Sequence, residues 1–297
     1  MAPASPSLRI GLPVYNGAAT LASAIESLLA QTRGDFELLV SDNASSDATG
    51  EICRDFAKHD GRVRYVRNPT NVGAMNNFGS VLDHTESPFF MWAACDDTWL
   101  PTFVERNLAA LEADAGVVCS VSQVEFVDRS GELVETVGPE NQKHALAGGT
   151  YPLEDSPKNN LIRFIENPEC NSRFYGIHRT GVIRRCYSPN ERYLGSDWVV
   201  MARTLGFGKH HEVPEVLMQR GIGGVSSDVT KLILSMNPSW ISRRYYPMLP
   251  MTRRLLLSRH VPIAWWDLAH LRKLREILWT KNVNEYRHHR AQLALER

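Results

Sequence analysis

Cysteine is scarce and never closely paired. Cys53, Cys95, Cys119, Cys170 and Cys186 are spread over 297 residues without a CxxC motif, which argues against a disulfide framework and against a zinc site. Net charge is also missing: 33 Lys and Arg balance 33 Asp and Glu. The molecule as a whole is therefore not built as a nucleic-acid binder. No apolar run approaches the ~18 residues of a membrane span. The opening MAPASPSLRI has no apolar core, so no secretory signal is expected. The expected setting is reducing cytosol, where the sequon Asn43-Ala44-Ser45 is a chance match. The loop after the first apolar run reads GLPVYNG, neither GxGxxG nor GxxxxGK[ST]. Dinucleotide-binding dehydrogenases and P-loop nucleotidases thus lose their main signature.

What is present is an ordinary globular composition, 43% hydrophobic and 22% charged. The length suits one large α/β domain with additions, or two small ones. Charge is unevenly placed. Residues 241–297 carry 12 Lys and Arg against 4 Asp and Glu, so a basic tail of +8 offsets a body of −8.

Short apolar runs at residues 8–14, 36–40, 63–66 and 88–94 read as strands. Between them lie helical patterns. Leu21, Ile25, Leu28 and Leu29 form the first; Ile52 and Phe56 mark the second, behind Ser45, Ser46 and Asp47 as cap candidates; the third falls within 73–82. Continuous apolar strands alternating with helices predict a largely parallel sheet covered on both faces. A helix is expected after Pro101, a strand over 117–127, and a turn at 128–131 leading into a strand over 132–137. Residues 138–160 read as a long surface loop or lid, 171–178 as a strand, and 197–205 as a helix capped by Ser196. From Asp228 the pattern is helical, broken near Pro238, Pro247, Pro250 and Pro262.

Ligands of such sheets bind beyond the carboxyl ends of the strands. Those ends read PVYN, SDNASSD, NPTNVG and CDD, all polar or turn-forming. The last follows SPFFMWAA, so an apolar strand runs straight into Asp96 and Asp97. Two adjacent carboxylates need solvent, a metal ion or a polar ligand to offset their repulsion.

GLPVYNGA (11–18), SDNASSDATGEI (41–52), NVGAMNNFG (71–79), CDDTWLP (95–101), GSDW (195–198), and VPEVL followed by Arg220 and GGVS (213–226) occur in this order. Together they resemble the family 2 inverting glycosyltransferases of GT-A fold. The resemblance implies an α/β fold, a mostly parallel central sheet flanked by helices, with a helical C-terminal extension. Residues 1–226 would be the catalytic domain, with 1–100 binding the nucleotide sugar and 101–226 facing the acceptor. Residues 227–297 would be a basic, amphipathic helical region.

The resemblance also implies roles. Asp42 would accept the imide N–H of uracil or thymine, favouring UDP- or dTDP-sugars. Pro13 and Tyr15 would line the base pocket. Asn71, Gly73 and Asn77 form a weaker donor-binding group. Asp96 and Asp97 would contact ribose or sugar and hold a divalent ion, Mg²⁺ or Mn²⁺. Asp197 would be the general base that takes the acceptor proton. Two departures stand out. Ala94 occupies the place of an Asp that completes D-x-D in many members, and no His follows VPEVL. Arg220 is the candidate to supply positive charge to the diphosphate instead.

The expected function is sugar transfer from a nucleotide sugar to an acceptor hydroxyl, saccharide or lipid-linked, in surface polysaccharide or glycolipid assembly. A degenerate GT-A carbohydrate- or membrane-binding protein is one alternative; a sugar-nucleotide pyrophosphorylase is another. His210-His211 and His288-His289 read as surface or packing residues, while Trp92 and Trp99 beside the aspartates read as core packing, with shaping of the sugar pocket as the alternative. In the tail, Trp265, Leu268, Leu271, Leu274 and Leu278 share one helical face, with Arg272, Lys273 and Arg275 off it. That face either packs on the body or another subunit, or lies against the inner face of the cell membrane.

Overall fold

The computed structural model describes residues 6–83, 85–128, 131–137, 143–145, 147–148, 151–168, 171–222, 229–264 and 267–295. Strands β1 (Leu8–Val14), β2 (Phe36–Asp42) and β3 (Val63–Arg67) alternate with helices α1 (Leu21–Leu29), α2 (Thr49–His59) and α3 (Ala74–Asp83). β4 (Phe89–Trp92), β5 (Asp97–Trp99), α4 (Phe103–Ala113) and β6 (Val117–Val127) follow. Next come β7 (Glu135–Val137), β8 (Lys143–Ala145), β9 (Ala147–Gly148) and α5 (Pro157–Glu166). A 3₁₀ turn over Ser172–Tyr175 leads to β10 (Ile177–Arg179), α6 (Thr180–Cys186), α7 (Ser196–Thr204) and β11 (Lys209–Gly221). The chain ends in α8 (Val229–Met236), α9 (Trp240–Arg244), α10 (Leu249–Leu257) and α11 (Leu268–Leu295).

The main sheet has the order β3-β2-β1-β4-β10-β6-β11-β5, with β9 added on β6. Its long strands pair in parallel: β1 with β2 and β4, β2 with β3, and β6 with β11. The antiparallel pairings belong to the short strands β5, β9 and β10. Every residue of β1 is buried, because helices cover both faces of the sheet.

Alternation along each strand divides the interior in two. Phe89 and Met91 of β4 point into one core with Leu21, Ile25 and Leu28 of α1 and Leu108 of α4. Phe90 and Trp92 point into the other, with Leu161 of α5, Ile183 of α6, Val199 of α7, Met251 of α10, and Leu274 and Leu278 of α11. The C-terminal helices therefore share a core with the body.

Several expectations need correction. β2 runs on to Asp42. Of residues 132–137 only 135–137 form a strand, paired with β8. The expected loop 138–160 contains β8, β9 and the start of α5, where the Ser156 side chain accepts the Asn159 N–H; residues 138–142, 146, 149 and 150 lie outside the described residues. Residues 171–178 are mostly not strand. Asn171 adopts a left-handed conformation, φ 48°, and the Phe174 N–H returns to its carbonyl, closing the 3₁₀ turn. Gly176 then passes so close to β6 that a Cβ would sit 2.6 Å from the Ser120 carbonyl oxygen.

The caps also differ. Ala48, not Ser45, Ser46 or Asp47, occupies the N-cap of α2, although the Asp47 carboxylate accepts the Thr49 N–H at 3.1 Å. The cap of α7 is Gly195, and Ser196 is the first helical residue. The tail face does not bury as a unit. Leu274 and Leu278 are buried, Leu271 is half-buried and Leu268 is exposed, while Trp265 lies outside the described residues.

Trp92 and Trp99 are packing residues, each at least 97% buried. His210 is buried against Thr204, 2.8 Å away, and His289 meets the Arg243 carbonyl at 3.0 Å. His178 on β10 is fully buried with Trp92 beside it, and burial drives its pKa down from 6.5 to about 4. The sign follows from linkage. The unfolded chain takes up this proton below its ordinary pKa, while the folded chain stays neutral. Stability is expected to fall as pH drops from 6.5 toward 4, by about 1.4 kcal/mol per pH unit for such a histidine. His210, shifted the same way, adds to it. Urea unfolding between these pH values checks the slope, which His178→Leu should reduce.

Candidate active site

The loops past β1 and β2 are laced together. The Asn16 N–H donates to Ser45 Oγ at 2.9 Å, Gly17 N–H to Thr49 Oγ1 at 2.9 Å, and Ser46 N–H to Asn16 Oδ1 at 2.8 Å. Behind them Asn43 bridges to the next strand end. Its side-chain N–H donates to Asn71 Oδ1 at 2.9 Å, and its own Oδ1 accepts the Val72 N–H at 2.9 Å. These bonds hold open a cleft of about 620 Å³ at the carboxyl edge of the sheet, with Tyr15, Asn43, Asn71, Asp96, Asp97 and Arg220 among its walls.

Pro13, Tyr15, Asn71, Asn77, Asp96, Asp97 and Arg220 all line this cleft. Asn77 is nevertheless buried and committed to the fold, donating to the Ser41 carbonyl and accepting from Ser41 Oγ. Gly73 is not among the lining residues. It opens α3 with φ +84°, a conformation that favours glycine.

Asp42 does not line the cleft either. It has no exposed surface. Its Oδ1 accepts the Ser45 N–H at 2.8 Å; its Oδ2 accepts the Tyr65 hydroxyl at 2.9 Å and a close ion pair from Arg67. Burial pushes its pKa up, but the bonds from Ser45, Tyr65 and Arg67 prevail and hold it below the usual carboxylate range.

The paired aspartates separate by environment. Asp96 is half-buried and faces the cleft. Asp97 opens β5 opposite Arg220 of β11 and is 2% exposed. Its Oδ1 accepts the Gly221 N–H at 3.2 Å; its Oδ2 is buried without a hydrogen bond, and the Arg220 Nε stands 3.7 Å away. Burial pushes Asp97 up to about 7, against the pull of Arg220. Arg220 also lies over the Tyr175 ring, 4.9 Å from its centre.

Arg220 and Tyr175 belong to a second wall as well. A recess of about 240 Å³ adjoins the cleft and shares Ala74, Phe78, Tyr175 and Arg220 with it. Asp197, in the first turn of α7, opens into this recess. The Asn171 side-chain N–H donates to Asp197 Oδ2 at 2.7 Å, while Asn171 Oδ1 is buried without a hydrogen bond. Burial raises the Asp197 pKa above its ordinary value, opposed by the Asn171 bond and by Arg220. The aspartate cleft and the recess of Asp197 thus share one arginine.

The family model described as Glycosyl transferase family 2 matches residues 10–178, more than half of the chain. The chain belongs to glycosyl transferase family 2. Among its relatives in this family, EpsE of Bacillus subtilis, named as a glycosyltransferase, is 32% identical over 108 residues, 36% of this chain and 39% of that one. A glycosyltransferase of Rickettsia typhi, named as uncharacterised, is 28% identical over 155 residues, 50% of this chain and 46% of that one. The chain spans less than half the length of these two relatives.

Among solved structures, Staphylococcus aureus TarS 1-349 in complex with UDP-GlcNAc matches with a TM-score of 0.58 at 14% identity, over 98% of this chain and 92% of that one. The mannosyltransferase PcManGT from Pyrobaculum calidifontis, in complex with GDP-Man and Mn²⁺, matches with 0.58 at 16%, over 98% and 74%. At such identities the likeness is one of fold, the GT-A architecture.

In this family 2 chain the Gly223–Ser226 part of the motif lies outside the described residues. No group of three or more His, Cys, Asp or Glu able to hold a metal occurs among the described residues. Asn171 and Tyr175 are site residues that sequence reasoning missed. Their only linear signal is an Asn followed by Ser-Arg-Phe-Tyr-Gly; their place beside Asp197 comes from the 3₁₀ turn.

Proposed function

We propose that this chain is an inverting glycosyltransferase that moves a sugar from a UDP- or dTDP-linked donor to an acceptor hydroxyl. The observation that carries this reading is the shared wall: Arg220 and Tyr175 join the aspartate cleft to the recess of Asp197. The donor lies in the larger cavity with its diphosphate near Asp96 and Arg220. Tyr15, Pro13 and Asn43 face the base end. Asp42 orders that end from beneath, by fixing Tyr65 and Arg67. The acceptor enters the recess, where Asp197 takes its hydroxyl proton. The acceptor oxygen forms its bond to the anomeric carbon as the bond to the diphosphate breaks, and the nucleoside diphosphate leaves with the electron pair. Attack from the opposite face inverts the centre.

A divalent ion fits this strand end. Asp96 faces the cleft, and Asp97 Oδ2 is a buried oxygen without a hydrogen bond. Two carboxylates with substrate phosphates and water suit Mg²⁺ or Mn²⁺. When bound, such an ion stabilises the departing diphosphate as a Lewis acid. Arg220 supplies fixed positive charge at the same place. The acceptor is proposed to be a saccharide or lipid-linked intermediate of surface polysaccharide or glycolipid assembly, at the inner face of the cell membrane.

Calorimetric titration of UDP-, dTDP- and GDP-sugars, with and without Mn²⁺, tests the reading. Binding of a UDP- or dTDP-sugar and release of the nucleoside diphosphate are expected. Failure of every donor to bind would sink it. Arg220→Ala should weaken donor binding by about ten- to a hundredfold, the range for a lost charge-assisted hydrogen bond. Unchanged affinity and turnover would remove Arg220 from the site.

A further inference from the structure

The C-terminal helices leave a large apolar surface uncovered. α9, α10 and α11 enclose a groove of about 1050 Å³ whose walls include Ile241, Tyr246, Leu249, Leu256, Leu268 and Trp279. Leu268 is 74% exposed and Trp279 61%; on the same helices Leu257 is 73% exposed and Trp240 66%. Of the 16 exposed large hydrophobic residues among those described, nine fall between positions 240 and 279. An apolar concentration of this kind marks a docking surface rather than ordinary exposure.

Charge identifies the occupant. Arg243, Arg253, Arg259, Arg272 and Arg275 are exposed on the same helices and their connections. Among the described residues the one acidic lining residue, Glu276, is already held by Arg272 at 3.0 Å. Asp267 is held by Lys158 and His270. The region from 241 to 297 carries a net +8. A second copy of this chain would bring the same positive charge against itself. A surface of negative charge over hydrocarbon matches both features. Aromatic and leucine side chains enter the headgroup boundary while arginines meet the lipid phosphates.

We propose that this groove, with Arg272 and Arg275 in its wall, seats the protein on an anionic lipid bilayer. No helix among the described residues is long and apolar enough to cross a membrane, so the contact is peripheral. Behind the groove, Leu274 and Leu278 pack in the core that includes α7. Lys281 lies 5.4 Å from the ring centre of Trp198, the neighbour of Asp197. If the proposed function holds, the lipid plane adjoins the acceptor side, which suits a lipid-linked acceptor; the bilayer contact itself does not depend on that reading.

Cosedimentation of the full chain with vesicles tests it, comparing phosphatidylcholine alone with a phosphatidylcholine and phosphatidylglycerol mixture at low salt. The anionic vesicles should be bound at least tenfold more tightly, and high salt should weaken that binding. Leu249→Glu with Leu268→Glu, and separately Arg272→Glu with Arg275→Glu, should each reduce binding tenfold or more. These side chains are exposed, and circular dichroism checks that the variants fold. Tryptophan quenching by brominated lipid gives a readout on the unaltered chain: quenching supports the contact, and its absence overturns it. Failure to bind anionic vesicles at low salt overturns the proposal too. So does a dimer in equilibrium sedimentation that Leu268→Glu dissolves, combined with no vesicle binding, since a second copy then covers the groove.

Discussion

Asp197→Asn is expected to lower turnover by about a hundred- to ten-thousandfold, the range for a lost general base, while donor binding stays close to that of the unaltered chain. The separation follows from geometry. Asp197 opens into the smaller recess, not into the aspartate cleft. An amide keeps the shape and can still bond Asn171, but it cannot take a proton. The pH profile provides a second measurement. Because the Asp197 pKa is raised by burial, the acid limb of kcat should lie above the ordinary carboxylate range. Below that limb the base is protonated and transfer stops. Helix starts normally favour the ionised form, so the raised pKa means that burial in the recess outweighs the helix. A variant with full turnover would move the base elsewhere.

Trp92→Ala is expected to cost about 3–5 kcal/mol of stability, the usual range for removing a fully buried tryptophan. Trp92 has no exposed surface. Its ring stacks on Phe174 at 4.5 Å and 3°, meets Phe90 and Tyr187 at 5.0 Å each, and its indole N–H donates to the Phe78 carbonyl at 3.0 Å. Phe174 and Phe78 also wall the recess of Asp197. Denaturant unfolding should show the stability loss, and turnover of the folded fraction should fall as well. Loss of turnover without loss of stability would contradict the packing role given to Trp92.

The long strands were legible because burial leaves them rich in apolar, β-branched residues. Residues 8–14 and 117–127 were read with the boundaries that the structure has. Asp96, Asp97 and Arg220 were legible because they stand just past strands or at the end of one, where a parallel sheet presents its ligands. The misreadings share a cause, which is dependence on distant neighbours. Asp42 reads as a base-binding carboxylate in linear sequence, yet Tyr65 and Arg67 arrive from another strand to engage it. The segment 171–178 has the apolar content of a strand, but the left-handed Asn171 and the approach of Gly176 to Ser120 curl it into a 3₁₀ turn. That curl is what carries Asn171 to Asp197.

The line drawn at residue 226 between catalytic body and tail does not correspond to a gap in the interior. Gly195, immediately before the helix of Asp197, has φ +78°, and a Cβ there would fall 2.6 Å from Met251 Sδ. A methyl at this position would push the Met251 side chain aside and strain a backbone conformation that favours glycine. The bare backbone at 195 therefore works as a seam allowance: it lets the tail fold flush against the wall that carries Asp197. Removing the tail would uncover that wall to water rather than trim an appendage, and a mutation at 195 would be felt at both ends of the seam.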